Sequence, residues 1–277
     1  MIQTTTVIKL KKRPERVSHM GKNTIRSITA VGVLFCLLWL IGLGWAVGQY
    51  YAGKPDKLPE TNTVSKKVEN KKGLTIVAIG DSLTRGTGDE TGKGYVGDLT
   101  DEIKEKTKKP VQLTNLGING QRSDQLRKQV QETEVARQIQ KADIVLVTIG
   151  GNDLFRGGQG LTDYSTANIA KIEKQYLDNL KFIFEQIRKN NQNANVFFIG
   201  LYNPFIELDQ GKEMSRVVRH WNYDSAEVSA AFPKIVFVPT FDLFELRVND
   251  YLYSDKFHPN TKGYRLIAER VASLLTW

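Results

Sequence analysis

The chain has 277 residues, of which 40% are hydrophobic and 25% are charged, and this composition excludes disorder of the whole chain. It contains a single cysteine, Cys36, which excludes an intrachain disulfide, a cysteine-based zinc site and a C-x-x-C redox pair. Its net charge of +9 raises the question of nucleic-acid binding.

The excess positive charge lies near the N-terminus. Residues 1–27 hold seven Lys and Arg against one Glu, and residues 49–73 hold six Lys against three acidic residues. Residues 74–277 hold 26 basic and 26 acidic residues, so this part lacks the basic surface expected of a nucleic-acid-binding domain. We therefore expect no nucleic-acid partner, and we interpret residues 1–27 as a basic cytoplasmic tail.

An uncharged apolar run of 21 residues follows the basic tail, from residue 28 to residue 48. As a helix it would be about 30 Å long, the thickness of the hydrocarbon core of a bilayer. Positive charge before the run and Tyr50 and Tyr51 after it predict a single-pass membrane anchor with a cytoplasmic N-terminus and an extracellular remainder. A cleaved signal peptide is the main alternative, although its apolar segment is normally shorter, and a buried core helix is a third.

Residues 49–73 are rich in lysine, contain two prolines and have few large aliphatic residues. Such a segment cannot bury enough apolar surface to offset the entropy lost on ordering, so we expect a polar linker. The globular domain is expected to span residues 74–277.

In the globular part, short apolar runs alternate with longer amphipathic segments. Because the short runs are almost continuously hydrophobic, they are typical of strands buried on both faces. The predicted strands are 74–79, 111–116, 143–149, 195–201 and 235–239. The predicted helices are 95–107, 122–141, 165–191, 212–231 and 262–276. Five alternations predict an α/β fold, a parallel five-stranded sheet with helices on both faces.

Ligand sites in such sheets lie just beyond the carboxyl ends of the strands. Polar turns that contain glycine follow the first three predicted strands, at residues 80–84, 115–121 and 150–153, and a fourth polar turn, 255–259, precedes the last helix. We expect these four turns to meet in one ligand site.

The first turn offers a candidate nucleophile, Ser82, which needs a base to accept its proton. Of the three histidines, His19 lies on the cytoplasmic side if the anchor prediction holds, and His220 lies within a predicted helix, where a packed or exposed surface histidine is the ordinary interpretation. His258 remains as the candidate base. Asp255, three residues earlier, has a spacing that would let it orient the imidazole, although D-x-x-H alone is a weak signal.

Acyl transfer also needs hydrogen-bond donors aimed at the oxygen that becomes negatively charged. Gly120 lacks side-chain bulk where the backbone would approach the reacting carbon, and Asn152 carries an amide group at the end of a neighbouring strand. Each glycine taken singly is explained equally well by a simple turn. The four turns together favour a catalytic site.

This combination of blocks resembles the SGNH hydrolases, also called GDSL-type esterases and lipases, and in particular membrane-anchored, lysophospholipase-like bacterial members. The matching blocks, in the order typical of that family, are Gly80-Asp81-Ser82-Leu83, Asn115-x-Gly117-x-x-Gly120, Gly151-Asn152-Asp153 and Asp255-x-x-His258. The resemblance implies a three-layer, flavodoxin-like fold with Ser82 as nucleophile, His258 as base and Asp255 as the orienting acid. It also implies an oxyanion hole made by Ser82, Gly120 and Asn152.

Other patterns predict no cofactor and no metal. Asp81, Asp89, Asp98 and Asp153 lack the spacing of metal ligands, and the glycines of residues 86–94 lack the spacing of a phosphate-binding loop. We interpret residues 86–94 as a mobile rim of the cleft. Four aromatic residues are candidates either for an acyl pocket or for the core: Phe155, Tyr202, Phe205 and Phe257.

The sequence therefore predicts an esterase or lipase that acts on lysophospholipids or other acyl esters outside the membrane. Three alternatives remain open at this point. The protein could be an acetyl-esterase or acyltransferase acting on wall polysaccharide, a non-catalytic module that binds lipid or glycan, or a regulator that contacts membrane proteins through residues 28–48.

Overall fold

The computed structural model describes residues 22–52, 73–155 and 166–276, and within the first range it describes side chains only at Arg26 and at residues 29–44. The predicted tail as far as residue 21 and the predicted linker over 53–72 lie outside the described residues.

The first helix, α1, extends over Lys22–Ala52 and contains the apolar run of the sequence. It belongs to a different unit from the remainder of the chain, which forms one unit starting at Glu69. Among the residues described, no helix combines the length and the hydropathy needed to cross a membrane.

The second unit is built on one parallel sheet of five strands in the order β2-β1-β3-β4-β5. The strands are β1 (Leu74–Gly80), β2 (Val111–Asn115), β3 (Ile144–Thr148), β4 (Asn195–Ile199) and β5 (Ile235–Val238). Every residue of the central strand β3 is buried, as its almost continuously apolar sequence predicts. The predicted fold class, a parallel sheet with helices on both faces, is confirmed.

Ten helices of the described chain accompany the sheet. They are α2 (Ser82–Arg85), α3 (Gly94–Thr107), α4 (Ser123–Gln129), α5 (Thr133–Lys141), α6 (Gly151–Phe155), α7 (Thr166–Asn190), α8 (Gly211–Ala230), α9 (Phe241–Glu245), α10 (Val248–Tyr251) and α11 (Thr261–Ala272). Four of them, α2, α6, α9 and α10, are too short to produce a periodic apolar pattern, and the sequence did not predict them.

The sheet separates two hydrophobic cores. Val77 and Ile79 of β1 face one core, together with the apolar sides of α4, α5, α7 and α8. Ile76 and Ala78, the alternate residues of the same strand, face the other core, which contains residues of α3 and α11. This alternation follows from the two-residue period of a strand, and it fixes the sheet between two helical layers.

The single helix predicted over 122–141 is wrong, because the chain forms α4 and α5 with a break between them. Leu126 of α4 and Val135 of α5 are nine residues apart, and an unbroken helix would place them on opposite faces. Both side chains are buried in the same core. The break at residues 130–132 re-aims α5, so that the apolar residues of both helices reach the sheet.

The first strand, β1, lies between β2 and β3, so the chain crosses to opposite sides of β1 after its first and second strands. A crevice forms at the carboxyl ends of parallel strands where the order switches in this way. The turns after β1, β2 and β3 all open at this position.

Candidate active site

Ser82 is placed by the turn that joins β1 to α2. Asp81 caps the helix by accepting a hydrogen bond from the Leu83 amide at 3.0 Å, and Ser82 is therefore the first residue of α2. Gly80 has a φ of 133°, and a Cβ on it would lie 2.0 Å from the Thr148 carbonyl oxygen. Only glycine fits here, because the chain must turn tightly against β3 to bring Ser82 to the end of the sheet.

The structure brings Ser82, His258 and Asp255 together. Nε2 of His258 lies 2.8 Å from Oγ of Ser82, and Nδ1 of His258 lies 2.7 Å from Oδ2 of Asp255. These are hydrogen-bond distances, and the first of them joins residues 176 positions apart in the chain. The expected proximity of the first and fourth blocks is thus present.

The loop that carries His258 is held at several points. The backbone amide of Tyr253 donates to the His258 carbonyl at 2.8 Å, and Leu252 pairs with Pro259 as an antiparallel bridge. The hydroxyl of Tyr202, which follows β4, donates to the Phe257 carbonyl at 2.6 Å. The imidazole is therefore positioned by the strand ends as well as by its own loop.

Asp255 accepts hydrogen bonds from the backbone amides of Phe257 and His258, at 3.0 Å each, in addition to its contact with the imidazole. Partial burial raises the pKa of the Asp255 carboxyl, but the hydrogen bonds from His258 and from the two amides outweigh burial and leave the pKa below its ordinary value. The carboxylate is therefore charged at neutral pH, as a partner for an imidazolium must be.

The second block forms the turn after β2. The side-chain amide of Asn115 donates to the Thr84 carbonyl at 2.7 Å, and its oxygen accepts from the Gly117 amide at 3.0 Å. A Cβ on Gly117 would lie 2.7 Å from the Arg85 nitrogen, so the turn can pack on α2 only with glycine at this position. Gly120 has a φ of 73°, and a Cβ on it would have no protein atom within 4 Å, so backbone conformation accounts for this glycine.

The candidate oxyanion donors lie at one edge of the crevice. Within the described residues, the amides of Ser82 and Gly120 have no acceptor among the hydrogen bonds. Asn152, at the start of α6 and 7% exposed, donates one hydrogen of its amide to the Gln121 carbonyl at 3.0 Å. This bond fixes the amide plane, so its second hydrogen has a defined direction.

Two carboxyl groups, those of Asp153 and Asp81, support the site, and the sequence predicted no role for either. Asp153 accepts hydrogen bonds from the Ser123 amide at 3.0 Å and from the Ser123 hydroxyl at 2.6 Å, and so ties the turn containing Gly120 to α6. Thr148 donates to Asp81 at 2.7 Å beneath the Ser82 turn. Burial raises the pKa of both carboxyls despite these bonds. Their positions beside Ser82 and Asn152 in the blocks were the available signal.

The loop over residues 86–94 lies beside His258, and a Cβ on Gly88 would come within 3.0 Å of the His258 Cβ. Asp89 organises this loop: it accepts hydrogen bonds from the backbone at Thr91, Lys93 and Gly94, and from the hydroxyls of Thr91 and Thr261. Burial raises the pKa of Asp89, but these bonds lower it to about 2. The segment predicted as a mobile rim is thus joined to the start of α11 by the hydrogen bond from Thr261 to the Asp89 carboxylate.

Two cavities are lined by residues of the turns that form the site. A wide groove of about 930 Å³ lies beside Gly120 and Asn152, and five ionisable residues line it: Arg122, Asp124, Arg127, Asp153 and Asp178. A small cavity of about 20 Å³ is lined by residues that include Leu83 and Gly151. Of the four aromatic candidates, Phe155, Tyr202 and Phe257 line the small cavity, while Phe205 packs against Phe155 and Phe257.

His220 lies outside this site, on the exposed side of α8. With Glu173 and Asp224 it forms the one group of three or more potential metal ligands found in the described part of the chain.

Comparison with known proteins identifies the family of the unit that contains this site. A sequence model of the GDSL-like lipase/acylhydrolase family matches residues 78–266, more than half of the chain, and this range contains Ser82, Asn152 and His258. The chain belongs to this family. It is a carboxylic ester hydrolase, and the resemblance to SGNH hydrolases is confirmed.

Two curated relatives are bacterial. The uncharacterized protein YpmR of Bacillus subtilis is 36% identical over 210 residues, which are 74% of this chain and 82% of that protein. The spore germination lipase LipC of Bacillus licheniformis is 26% identical over 207 residues, which are 72% of this chain and 94% of LipC. Both alignments cover most of the relative.

Solved structures share the fold. The lipase Lip_vut3 from a goat rumen metagenome superposes with a TM-score of 0.64 at 24% identity, covering 72% of this chain and 96% of that chain. Axe2, an acetylxylan esterase from Geobacillus stearothermophilus, superposes with a TM-score of 0.55 at 21% identity, covering 73% and 95%. At these sequence identities the similarity to the solved structures shows a shared fold and nothing more specific.

Proposed function

We propose that this family member is a serine esterase in which Ser82, His258 and Asp255 act as nucleophile, base and orienting acid. The observation that carries the proposal is the continuous hydrogen-bonded chain from the Ser82 hydroxyl through His258 to Asp255, at 2.8 and 2.7 Å. In this arrangement Nδ1–H of His258 donates to Asp255, which leaves Nε2 free to accept the Ser82 proton.

The reaction then has two halves. Oγ of Ser82 attacks the ester carbonyl carbon as its proton moves to Nε2 of His258, and the tetrahedral oxyanion accepts hydrogen bonds from the amides of Ser82 and Gly120 and from the Asn152 side chain. Collapse of this intermediate breaks the carbon–oxygen bond, and His258 gives the proton to the departing alcohol. Water then attacks the acyl-enzyme carbonyl carbon as its proton moves to His258, and collapse of this second intermediate releases the carboxylic acid while His258 returns the proton to Oγ of Ser82.

The two cavities support a short acyl group on a polar alcohol. The mostly apolar cavity of about 20 Å³ beside Leu83 and Gly151 holds little more than one water molecule, so it cannot take a long acyl chain. A long acyl chain in the groove of about 930 Å³ would lie against charged walls formed by Arg122, Asp124, Arg127 and Asp178. Hydroxyl-rich alcohols such as carbohydrates can hydrogen-bond to those walls.

The proposal therefore favours acetyl-type esters of a polysaccharide or similar polar alcohol over lysophospholipid. The membrane location belongs to the same proposal: residues 28–48 anchor the chain, and the hydrolase unit lies on the outer side. The uncharged run of 21 residues and the basic segment before it support this topology. A tether keeps the enzyme concentrated near envelope substrates.

The full chain in detergent tests the activity and the substrate class together. We expect p-nitrophenyl acetate and acetylated polysaccharide to be hydrolysed, and p-nitrophenyl palmitate and lysophosphatidylcholine micelles to be cleaved far more slowly. Ser82→Ala should abolish hydrolysis and labelling by a fluorophosphonate probe without lowering the melting temperature. If the Ser82→Ala variant hydrolyses p-nitrophenyl acetate at the wild-type rate, the catalytic assignment is refuted. A preference of the wild-type enzyme for long acyl chains would refute only the substrate class.

Topology is tested separately in intact bacterial protoplasts. Proteinase K added outside should remove the hydrolase unit while a cytoplasmic control protein survives. Protection of the hydrolase unit in intact protoplasts would contradict the proposed orientation, and release of a shortened chain into the medium would indicate the signal-peptide alternative.

A further inference from the structure

Glu173, His220 and Asp224 form a compact group on the two long helices that cover one face of the sheet. Glu173 belongs to α7, and His220 and Asp224 belong to α8. The two residues of α8 are four positions apart and therefore share one face of the helix. One ligand atom from each of the three side chains lies within 4.8 Å of the others.

The separations in this group are longer than hydrogen bonds. Nε2 of His220 lies 3.8 Å from Oε2 of Glu173 and 3.6 Å from Oδ2 of Asp224. Direct hydrogen bonds of this type are about 2.7–3.2 Å long. Neighbouring ligands of a tetrahedral zinc ion, bound at about 2.0–2.1 Å, lie about 3.4 Å apart. The two separations that involve His220 are thus closer to the ligand spacing around one ion than to the length of direct hydrogen bonds.

Glu173 provides an independent observation. It is only 8% exposed, yet the hydrogen bonds of the described residues include none to its carboxylate. The other two acidic residues buried to this degree in the described chain, Asp81 and Asp89, each accept at least two hydrogen bonds. The Glu173 carboxylate thus has little contact with solvent and no hydrogen-bond donor among the described residues, and its one charged neighbour of opposite sign is His220 at 3.8 Å, so a cation beside it would stabilise its charge.

We propose that Glu173, His220 and Asp224 bind one divalent transition-metal ion, for which Zn²⁺ is the best match, and that this ion joins α7 to α8. One imidazole nitrogen and two carboxylate oxygens are ligands that Zn²⁺ accepts, whereas Ca²⁺ requires six to eight oxygens. His220 is 65% exposed, so solvent has access to a fourth coordination position.

The site would act on structure and lies apart from the reacting groups. Tyr176, one turn beyond Glu173, stacks on Trp221 with ring centroids 4.4 Å apart. Both rings would lie about 3 Å from a Cβ on Gly150, at the turn that leads to Asn152. Metal binding would therefore brace the helix pair on which this turn rests, and this inference does not depend on the identity of the ester substrate.

The test uses the full chain, purified in detergent without a polyhistidine tag and freed of metal with a chelator. We expect equilibrium dialysis to show one tightly bound Zn²⁺ per chain. At free Zn²⁺ about 100-fold above Kd, the melting temperature should rise by about 5–10 °C. Ca²⁺ at the same concentration should leave it unchanged. Absence of Zn²⁺ binding, or an equal rise with Ca²⁺, would overturn the proposal.

Two variants locate the site. His220→Ala and Glu173→Gln should each lose the bound equivalent and the Zn²⁺-dependent rise in melting temperature. Glu173→Gln keeps the shape of the side chain and removes a poorly compensated buried charge, so this variant should still fold without metal. His258→Ala, the matched control, should bind Zn²⁺ as wild type does. Zn²⁺ binding retained by both His220→Ala and Glu173→Gln, or lost in His258→Ala, would refute this location.

Discussion

Replacing Asn152 by alanine tests the proposed oxyanion hole most directly. The carboxamide has two hydrogens, and one of them is already donated to the Gln121 carbonyl at 3.0 Å, so alanine removes one donor to the substrate and one internal bond. Loss of one oxyanion donor lowers kcat by about 10²–10³, equivalent to about 3–4 kcal/mol of transition-state stabilisation. Leaving the Gln121 carbonyl unpaired costs a further ~1–3 kcal/mol of folding stability.

The two effects are separated by measuring kcat and KM with p-nitrophenyl acetate and the melting temperature of the same sample. KM should change little, because the donor acts mainly on the charge that develops in the transition state. Gln175→Ala is the matched control, since Gln175 lines the same groove on α7 and is exposed. A kcat for Asn152→Ala within about threefold of wild type, in a folded protein, would refute the proposed role.

Two further predictions concern carboxylates. Asp255→Asn should lower kcat by about 10²-fold or more, measured with p-nitrophenyl acetate, because the amide cannot stabilise an imidazolium; an unchanged kcat would contradict the relay. Asp89 has a pKa of about 2, below its ordinary 3.8, so its charge stabilises the fold above about pH 4 and this contribution is lost as pH falls toward 2. Urea unfolding should therefore show Asp89→Asn about 2 kcal/mol less stable than wild type at pH 6, with the difference shrinking below pH 4; a difference independent of pH would contradict the assignment.

Local sequence patterns were sufficient for much of the fold. The five apolar runs each became a strand with bounds within two residues of those predicted, because strands buried on both faces must be apolar throughout. The helix over 122–141 failed for a reason visible only in three dimensions. The apolar residues of α4 and α5 pack in the same core, although the two helices differ in direction, and the spacing of apolar residues along the chain does not show the break between them.

The candidate site followed the same division. Ser82, Gly120 and Asn152 were predictable because turns after adjacent parallel strands share one edge of a sheet. His258 and Asp255 come from a loop that no strand order positions, and the resemblance of four separate blocks to one family linked that loop to the others. Two supporting hydrogen bonds, from Ser123 to Asp153 and from Tyr202 to the Phe257 carbonyl, could not be predicted from the spacing of these residues along the chain.

The sequence alone determined the order along the chain of the strands and of most of the longer helices, the location of the charge excess and the residue types available for acyl transfer, because these properties depend on neighbours along the chain. Tertiary structure decided which of those residues meet. The distance from Ser82 to His258, the small cavity lined by Phe155 and Phe257, and the proximity of Glu173 to His220 all depend on packing between segments far apart in sequence. Such contacts depend on how the sheet and the helical layers pack against each other, and the sequence pattern of a single segment does not specify that packing.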